Sequence, residues 1–195
     1  EEEILEVTNI YSITGNLTEN QPIIFVRPFR SPHHTTSRAG LIGGGKHILP
    51  GEISLAHRGI LFLDEFPEFP RHVLEALRQP MEDGFVTISR AQGSLMDPSK
   101  FMRVAAANPC PGGNYGSDKQ SCTCLPSQIS RYQKRVSGPI LDRIDIHVSV
   151  PAVPVGILAR STEHQESSEI IRKRVQYARM AQRKRLSTWG IFSNA

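Results

Sequence analysis

Gly59-Ile60-Leu61-Phe62-Leu63-Asp64-Glu65 (GILFLDE) decides how the chain is read. Gly59 releases the backbone into four consecutive apolar residues, the pattern of a strand buried in a sheet, and the run ends on two carboxylates. A nucleoside triphosphatase needs such an arrangement: one acidic group at a strand tip to orient magnesium, and a second beside it to activate water. A strand that ends in a polar turn would look the same in isolation, so the surrounding pattern has to arbitrate.

Downstream, Pro70 opens a helix in which Val73, Leu74, Leu77 and Met81 share a face, closed by Asp83-Gly84. Phe85 to Ser89 alternates, Gly93 offers a turn, and Leu95 to Met96 returns, which predicts a hairpin. Phe101 to Ala106 then reads as a second buried strand leading to Asn108, whose amide can both donate and accept a hydrogen bond. Pro126 to Val136 is expected to be helical. Ile140 to Val150 (ILDRIDIHVSV) is expected to pass from a helical turn into a third strand, with Arg143 at its start. An arginine so placed can reach a neighbouring subunit's nucleotide, or it can sit in a local charge cluster with Asp142 and Asp145.

Upstream, Glu2 to about Ile13 is compatible with a helix, Ile23–Val26 with a short strand, and Glu52 to His57 with a short helix. The intervening segment to Lys46, with Pro22, Pro28, Pro32 and Gly43 to Gly45, reads as a long loop of the kind that carries function. Pro151 and Pro154 mark a boundary, beyond which Ser161 to Leu186 reads as one long helix with Ile171, Val175 and Ala178 on a common face. Seven Lys and Arg between Arg172 and Arg185 are first of all a solvated helix face, with a DNA contact as the minority reading. Strands alternating with helices indicate an α/β sheet that is parallel at least in part.

The bulk numbers agree with this picture. A chain of 195 residues with 38% apolar and 22% charged residues can bury one substantial core. The acidic start Glu1-Glu2-Glu3 is unlike a secretory signal, and no apolar run approaches the roughly 20 residues of a membrane span, so a cytoplasmic location without membrane contact is expected. The net charge of +4 permits nucleic-acid binding without requiring it. Three cysteines, Cys110, Cys122 and Cys124, lie within fifteen residues, which argues against a secreted disulfide framework.

Several blocks in a fixed order carry a family resemblance: RPFRSPHHTTSRAGLIGGG, PGEISLAHRGILFLDEFPEF, LEALRQPMEDGFVTISRA, VAAANPCPGG and RYQKRVSGPILDRIDIHV, together spanning about Arg27 to Val150. The chain closely resembles the magnesium-chelatase-like AAA+ ATPases, specifically the bacterial ComM/YifB family. The resemblance implies an AAA+ P-loop NTPase-type three-layer α/β sandwich with a partly parallel sheet, incomplete at its N-terminus. It assigns residues 1–150 to a partial ATPase core and 151–195 to a linker and the first helix of a C-terminal lid.

By the same resemblance Asp64 and Glu65 are the Walker B pair that serves ATP and Mg²⁺, Asn108 is sensor 1, and Arg143 is the arginine finger. The hairpin from Phe85 to about Lys100 corresponds to the presensor-1 insertion, and the segment before Glu52 to the helix-2 insertion. Assembly into a hexameric ring and a DNA-translocating role in recombination during natural transformation are implied as well. The motor subunit of a metal chelatase is the alternative, and a non-hydrolysing interaction module is the reading outside enzymology.

Gly40 to His47 imitates a phosphate-binding loop, but His47 stands where a Ser or Thr hydroxyl is needed. In the resembling proteins the true loop precedes the segment that begins here, so the natural protein is expected to extend upstream, and this chain alone is expected to be nearly inactive. Cys110, Cys122 and Cys124 could supply part of a four-coordinate zinc site, yet the resemblance implies a further Cys where Gly112 stands, so one ligand is missing and free thiols are the expectation. His33 and His34 are expected to make polar contacts in a packed insertion; His57, His72 and His147 receive no role.

Overall fold

The computed structural model describes residues 2–45, 48–90, 93–117, 120–136, 138–151, 153 and 166–190. These fall into two units, Glu1–Val148 and Ser149–Ala195. Strands and helices are numbered in chain order.

The apolar run forms strand β4, Ile60–Leu63, at the centre of a three-stranded sheet. It pairs in parallel with β1 (Phe29–Arg30) on one side and with β7 (Met102–Ala105) on the other, in the register Ile60 to Met102 through Leu63 to Ala105. The expected α/β class with a partly parallel sheet is what forms. Leu61 and Leu63 point into the core with Leu41, Ile53, Phe66, Val73, Leu74, Leu77, Val86, Ile88 and Ile140. Their neighbours Ile60 and Phe62 are only half-buried, and their register partners Phe29, Met102 and Val104 are exposed, so one sheet face remains partly open.

Helix α1 (Glu2–Ile13) buries Val7 and Ile10 and is tied to helix α3 (Glu52–Leu55) by the Tyr11 hydroxyl, which donates to the Leu55 carbonyl at 3.2 Å. Buried His57 joins three elements. The Lys100 backbone N–H donates to its Nδ1 at 3.1 Å, which leaves Nε2 to carry the proton toward the Glu6 carboxylate, also at 3.1 Å. Arg58 grips the same carboxylate at 2.7 Å; its guanidinium, opposed by partial burial and aided by His57, holds Glu6 down at about pKa 2. Burial pushes the His57 imidazole below its ordinary pKa.

Gly40 lies within helix α2 (Arg38–Ile42), whose Leu41 and Ile42 are buried, so the first turn of this stretch is anchored in the core rather than looped around a ligand. It runs into β2 (Gly43–Gly44), which pairs antiparallel with β3 (Leu49–Pro50); residues 46–47 lie outside the described residues. Hairpin strands β5 (Phe85–Arg90) and β6 (Gly93–Pro98) pair over their full length, with Val86 and Ile88 turned to the core. The return strand is longer than Leu95 to Met96.

Four expectations need correction. Ile23–Val26 is not a strand: the Ile24 N–H is taken by Thr8 Oγ1 at 3.1 Å, Phe25 and Val26 are exposed, and the strand forms six residues later as β1. The helix after Pro70 is two helices, α4 (Arg71–Ala76) and α5 (Arg78–Asp83). Pro80 has no N–H to return to the Ala76 carbonyl, so the helix breaks at Leu77.

The helix expected over Pro126 to Val136 ends earlier, as α6 (Pro126–Gln133). Ile140 to Val150 forms only the turn α7 (Gly138–Leu141) and no strand. The Arg143 and Ile144 N–H groups close that turn onto Ile140 and Leu141, and Ile146, Val148 and Val150 stand 78%, 74% and 83% exposed with no ladder partner among the described residues.

In the second unit, helix α8 covers Ser168–Leu186, capped by Ser167 Oγ accepting the Ile170 N–H at 3.4 Å; residues 161–165 of the expected helix lie outside the described residues. Ile171 and Val175 are 42% and 53% exposed, so their common face is not buried within the described residues. No helix among the described residues is long and apolar enough to cross a membrane.

Candidate active site

Parallel pairing puts the C-terminal ends of β4 and β7 side by side, and this is where the chemistry-bearing residues gather. Ala106 N–H donates to the Leu63 carbonyl at 3.0 Å and Phe66 N–H returns to the Ala106 carbonyl at 2.9 Å, so the ladder continues around the carboxylates. Asp64 and Glu65 leave β4 exposed to solvent. Asp64 Oδ1 accepts the Glu65 N–H at 2.8 Å, which fixes one carboxylate oxygen and leaves the other available.

Glu65 adopts a left-handed backbone, φ 50° and ψ 41°, a conformation unfavourable for a residue with a Cβ. A one-turn 3-10 helix, Phe66–Glu68, holds it there: Glu68 N–H donates to the Glu65 carbonyl at 2.7 Å, and Phe66 and Pro67 are buried. Asn108 follows the exit of β7, exposed, with its backbone beside the Tyr132 hydroxyl of α6. The tip therefore presents oxygen ligands and an amide, a donor set that suits a hard cation such as Mg²⁺ together with phosphate.

A contact that sequence reasoning missed is His34, whose Nδ1 lies 2.8 Å from Glu65 Oε2. Its ring meets the Phe69 ring edge-on at 6.5 Å, which locates the imidazole against the turn that follows the carboxylates. The pair of histidines in SPHH was the only available signal, and it did not say which element they would meet. Also unforeseen is a cavity of about 640 Å³ between that turn and α6, lined by Glu68, Arg71, Arg131, Lys134 and Arg135. Four cations around one carboxylate make it electropositive. Arg135 spans it, pairing with Glu68 and donating to the Pro67 carbonyl at 3.2 Å.

Arg143 is not brought to this tip within the chain. Its guanidinium pairs with Glu82 of α5 and donates to the Pro139 carbonyl, while its own carbonyl accepts from Arg103 of β7 at 2.9 Å. Arg103 stands opposite Leu61, whereas the Asp64 tip lies past Leu63.

The sheet and its acidic tip define the class: an α/β protein with a carboxylate pair at the end of a central parallel strand. The family model for "Magnesium chelatase, subunit ChlI" matches residues 1–158. The chain is 46% identical to the uncharacterized protein YifB of Escherichia coli over 191 residues, 96% of this chain and 37% of that protein. It is equally 46% identical to the competence protein ComM of Haemophilus influenzae over 169 residues, 87% of this chain and 33% of the other. Against the magnesium-chelatase subunit ChlI of Bigelowiella natans the identity is 26% over 142 residues, 70% of this chain and 33% of that protein. The chain belongs to the magnesium-chelatase-like family, in its ComM/YifB branch. It spans about a third of the length of these curated relatives.

Proposed function

We propose that this chain is the hydrolytic half of an ATP-driven ring motor that acts on DNA, with 1–150 as part of the ATPase core and 151–195 leading into its lid. The observation that carries the reading is the juxtaposition at the strand tips, where Asp64, Glu65 and Asn108 leave adjacent parallel strands at the same end. Mg²⁺ bound with ATP would neutralise charge on the phosphates. Asp64 is the residue that would hold it, through the carboxylate oxygen not bonded to the Glu65 N–H. Glu65 polarises the attacking water, and its left-handed backbone and His34 contact fix where the carboxylate stands. The Asn108 amide orients that water or the terminal phosphate.

Arg143 acts in trans in this reading, exchanging Glu82 for the nucleotide of a neighbouring subunit in a ring, hexameric as in the resembling ATPases. The DNA substrate is suggested by the similarity to a competence protein. A chelatase motor role is the second reading, favoured by the family model and by the weaker similarity to chelatase subunits.

Steady-state ATP hydrolysis by the full-length protein, with and without branched DNA and beside Glu65→Gln, tests the proposal. DNA-stimulated turnover that falls by about 100-fold or more in the variant, in the range of lost acid–base catalysis, supports it. Turnover unchanged in the variant removes Glu65 from the chemistry, and turnover indifferent to DNA moves the assignment to the chelatase-like role.

A further inference from the structure

Between Asn108 and α6 the chain makes an excursion that brings all three cysteines back together. Cys110 Sγ lies 3.6 Å from Cys122 Sγ and 3.8 Å from Cys124 Sγ, and the three sulfurs all lie within 4.8 Å of one another. A disulfide requires about 2.05 Å, so these are not bonded pairs. Four thiolates around a tetrahedral ion with Zn–S near 2.3 Å are separated by about 3.8 Å along each edge, and the two separations from Cys110 match that spacing.

The surroundings suit metal thiolates. Cys110 is fully buried, and the Tyr115 and Asn114 backbone N–H groups point at its sulfur; the Cys124 N–H does the same for Cys122. Such N–H donors stabilise anionic sulfur and orient it. Among the described residues no His, Asp or Glu joins the group. Gly112 faces it instead: a Cβ built there would stand 3.2 Å from Cys124 Sγ. The group is therefore flanked, on the Cys124 side, by a residue that has no side chain.

We propose that Cys110, Cys122 and Cys124 bind one Zn²⁺ ion through three thiolates, with the fourth position, on the Gly112 side, taken by water. The three thiols release their protons to solvent as the ion binds, so affinity rises with pH. The ion clamps both ends of the excursion, two residues after Asn108 and two before Pro126 of α6, and so fixes the strand exit that carries the amide. Zinc binding at this site does not depend on ATP hydrolysis.

The test is titration of the reduced chain with Co²⁺ as an optical probe, followed by displacement with Zn²⁺, and thiol counting with a disulfide reagent in the presence and absence of Zn²⁺. One Co²⁺ per chain with a thiolate-to-cobalt charge-transfer band, lost on zinc addition, and thiols shielded by zinc are expected. Cys122→Ser should weaken zinc binding by at least the roughly 100-fold seen when supporting contacts to a metal are removed. Gly112→Cys should tighten it by about tenfold or more and strengthen the charge-transfer band, since it supplies the fourth thiolate. Three thiols that react equally fast with and without zinc in the unsubstituted chain, or Co²⁺ binding without a charge-transfer band, would overturn the site.

Discussion

Gly59, the residue just before the strand that carries the acidic tip, has no room for a side chain, and replacing it with alanine tests the sheet directly. A Cβ at this position would lie 2.0 Å from the Pro28 carbonyl oxygen, against an optimal carbon contact of about 3.5 Å, so the backbones must separate by roughly 1.5 Å. That oxygen accepts the Ile60 N–H at 2.8 Å, the first bond between β1 and β4, and β1 is only two residues long. The substitution therefore adds overpacking of about 1–3 kcal/mol. It also sacrifices a hydrogen bond worth about 1 kcal/mol.

A total of about 2–4 kcal/mol, with a urea slope near 2 kcal/mol per molar, lowers the unfolding midpoint by about 1–2 M. Urea titration followed by far-UV circular dichroism measures it. Gly138→Ala is the control, because nothing stands within 4 Å of its Cβ position, and it should shift stability by no more than about 0.5 kcal/mol. Equal midpoints for Gly59→Ala and the unsubstituted chain would refute the close approach and the β1–β4 register built on it.

Other outcomes follow from the same geometry. Leu74→Ala, at a fully buried core position, should destabilise the chain by about 2–5 kcal/mol in the same titration. His34→Ala should lower the turnover number of the full-length protein by about 10–100-fold with little change in KM, because it releases the Glu65 carboxylate from its position; an unchanged turnover number would show that the contact is incidental. Arg143→Ala and Asp64→Asn, each inactive alone, should regain part of the activity when mixed, and a mixture as inactive as its components would count against an arginine supplied in trans.

Acidification should act twice. His57 is held neutral by burial, so the unfolded chain takes up a proton that the folded chain resists, and stability falls as pH drops below about 6.5. Glu6 has its pKa lowered from 4.5 to about 2, so its stabilising contribution is full above 4.5 and is lost as pH falls toward 2; its partial exposure keeps that contribution small. Urea midpoints against pH for the unsubstituted chain and His57→Gln check the first decline, which should be absent from the variant.

The sequence by itself determined the family, the α/β class and the location of the acidic tip. Four apolar residues before Asp64-Glu65 favour a strand with at least one covered face, and the pattern of the hairpin from Phe85 lies within one short stretch of chain. Such signals are local, and local periodicity survives without knowledge of partners. Where a strand needed a distant partner, the pattern misled: Ile23–Val26 and the later part of Ile140 to Val150 have the composition of strands, but their backbone groups are taken elsewhere or meet no ladder among the described residues. The apolar spacing through Val73, Leu74, Leu77 and Met81 also masked the break at Leu77, whose cause, Pro80, stands in the sequence three residues later.

Only the tertiary structure decided what surrounds the named residues. It put Glu65 in a left-handed turn against His34, thirty-one positions earlier in the chain, and it turned Arg143 onto Glu82 rather than onto the tip. It also converted three cysteines with unpromising C-x-C spacing into a triangle of sulfurs facing Gly112. These relations join residues far apart in sequence whose meeting depends on how the intervening elements pack, and no periodicity along the chain records the direction in which a side chain will point once they do.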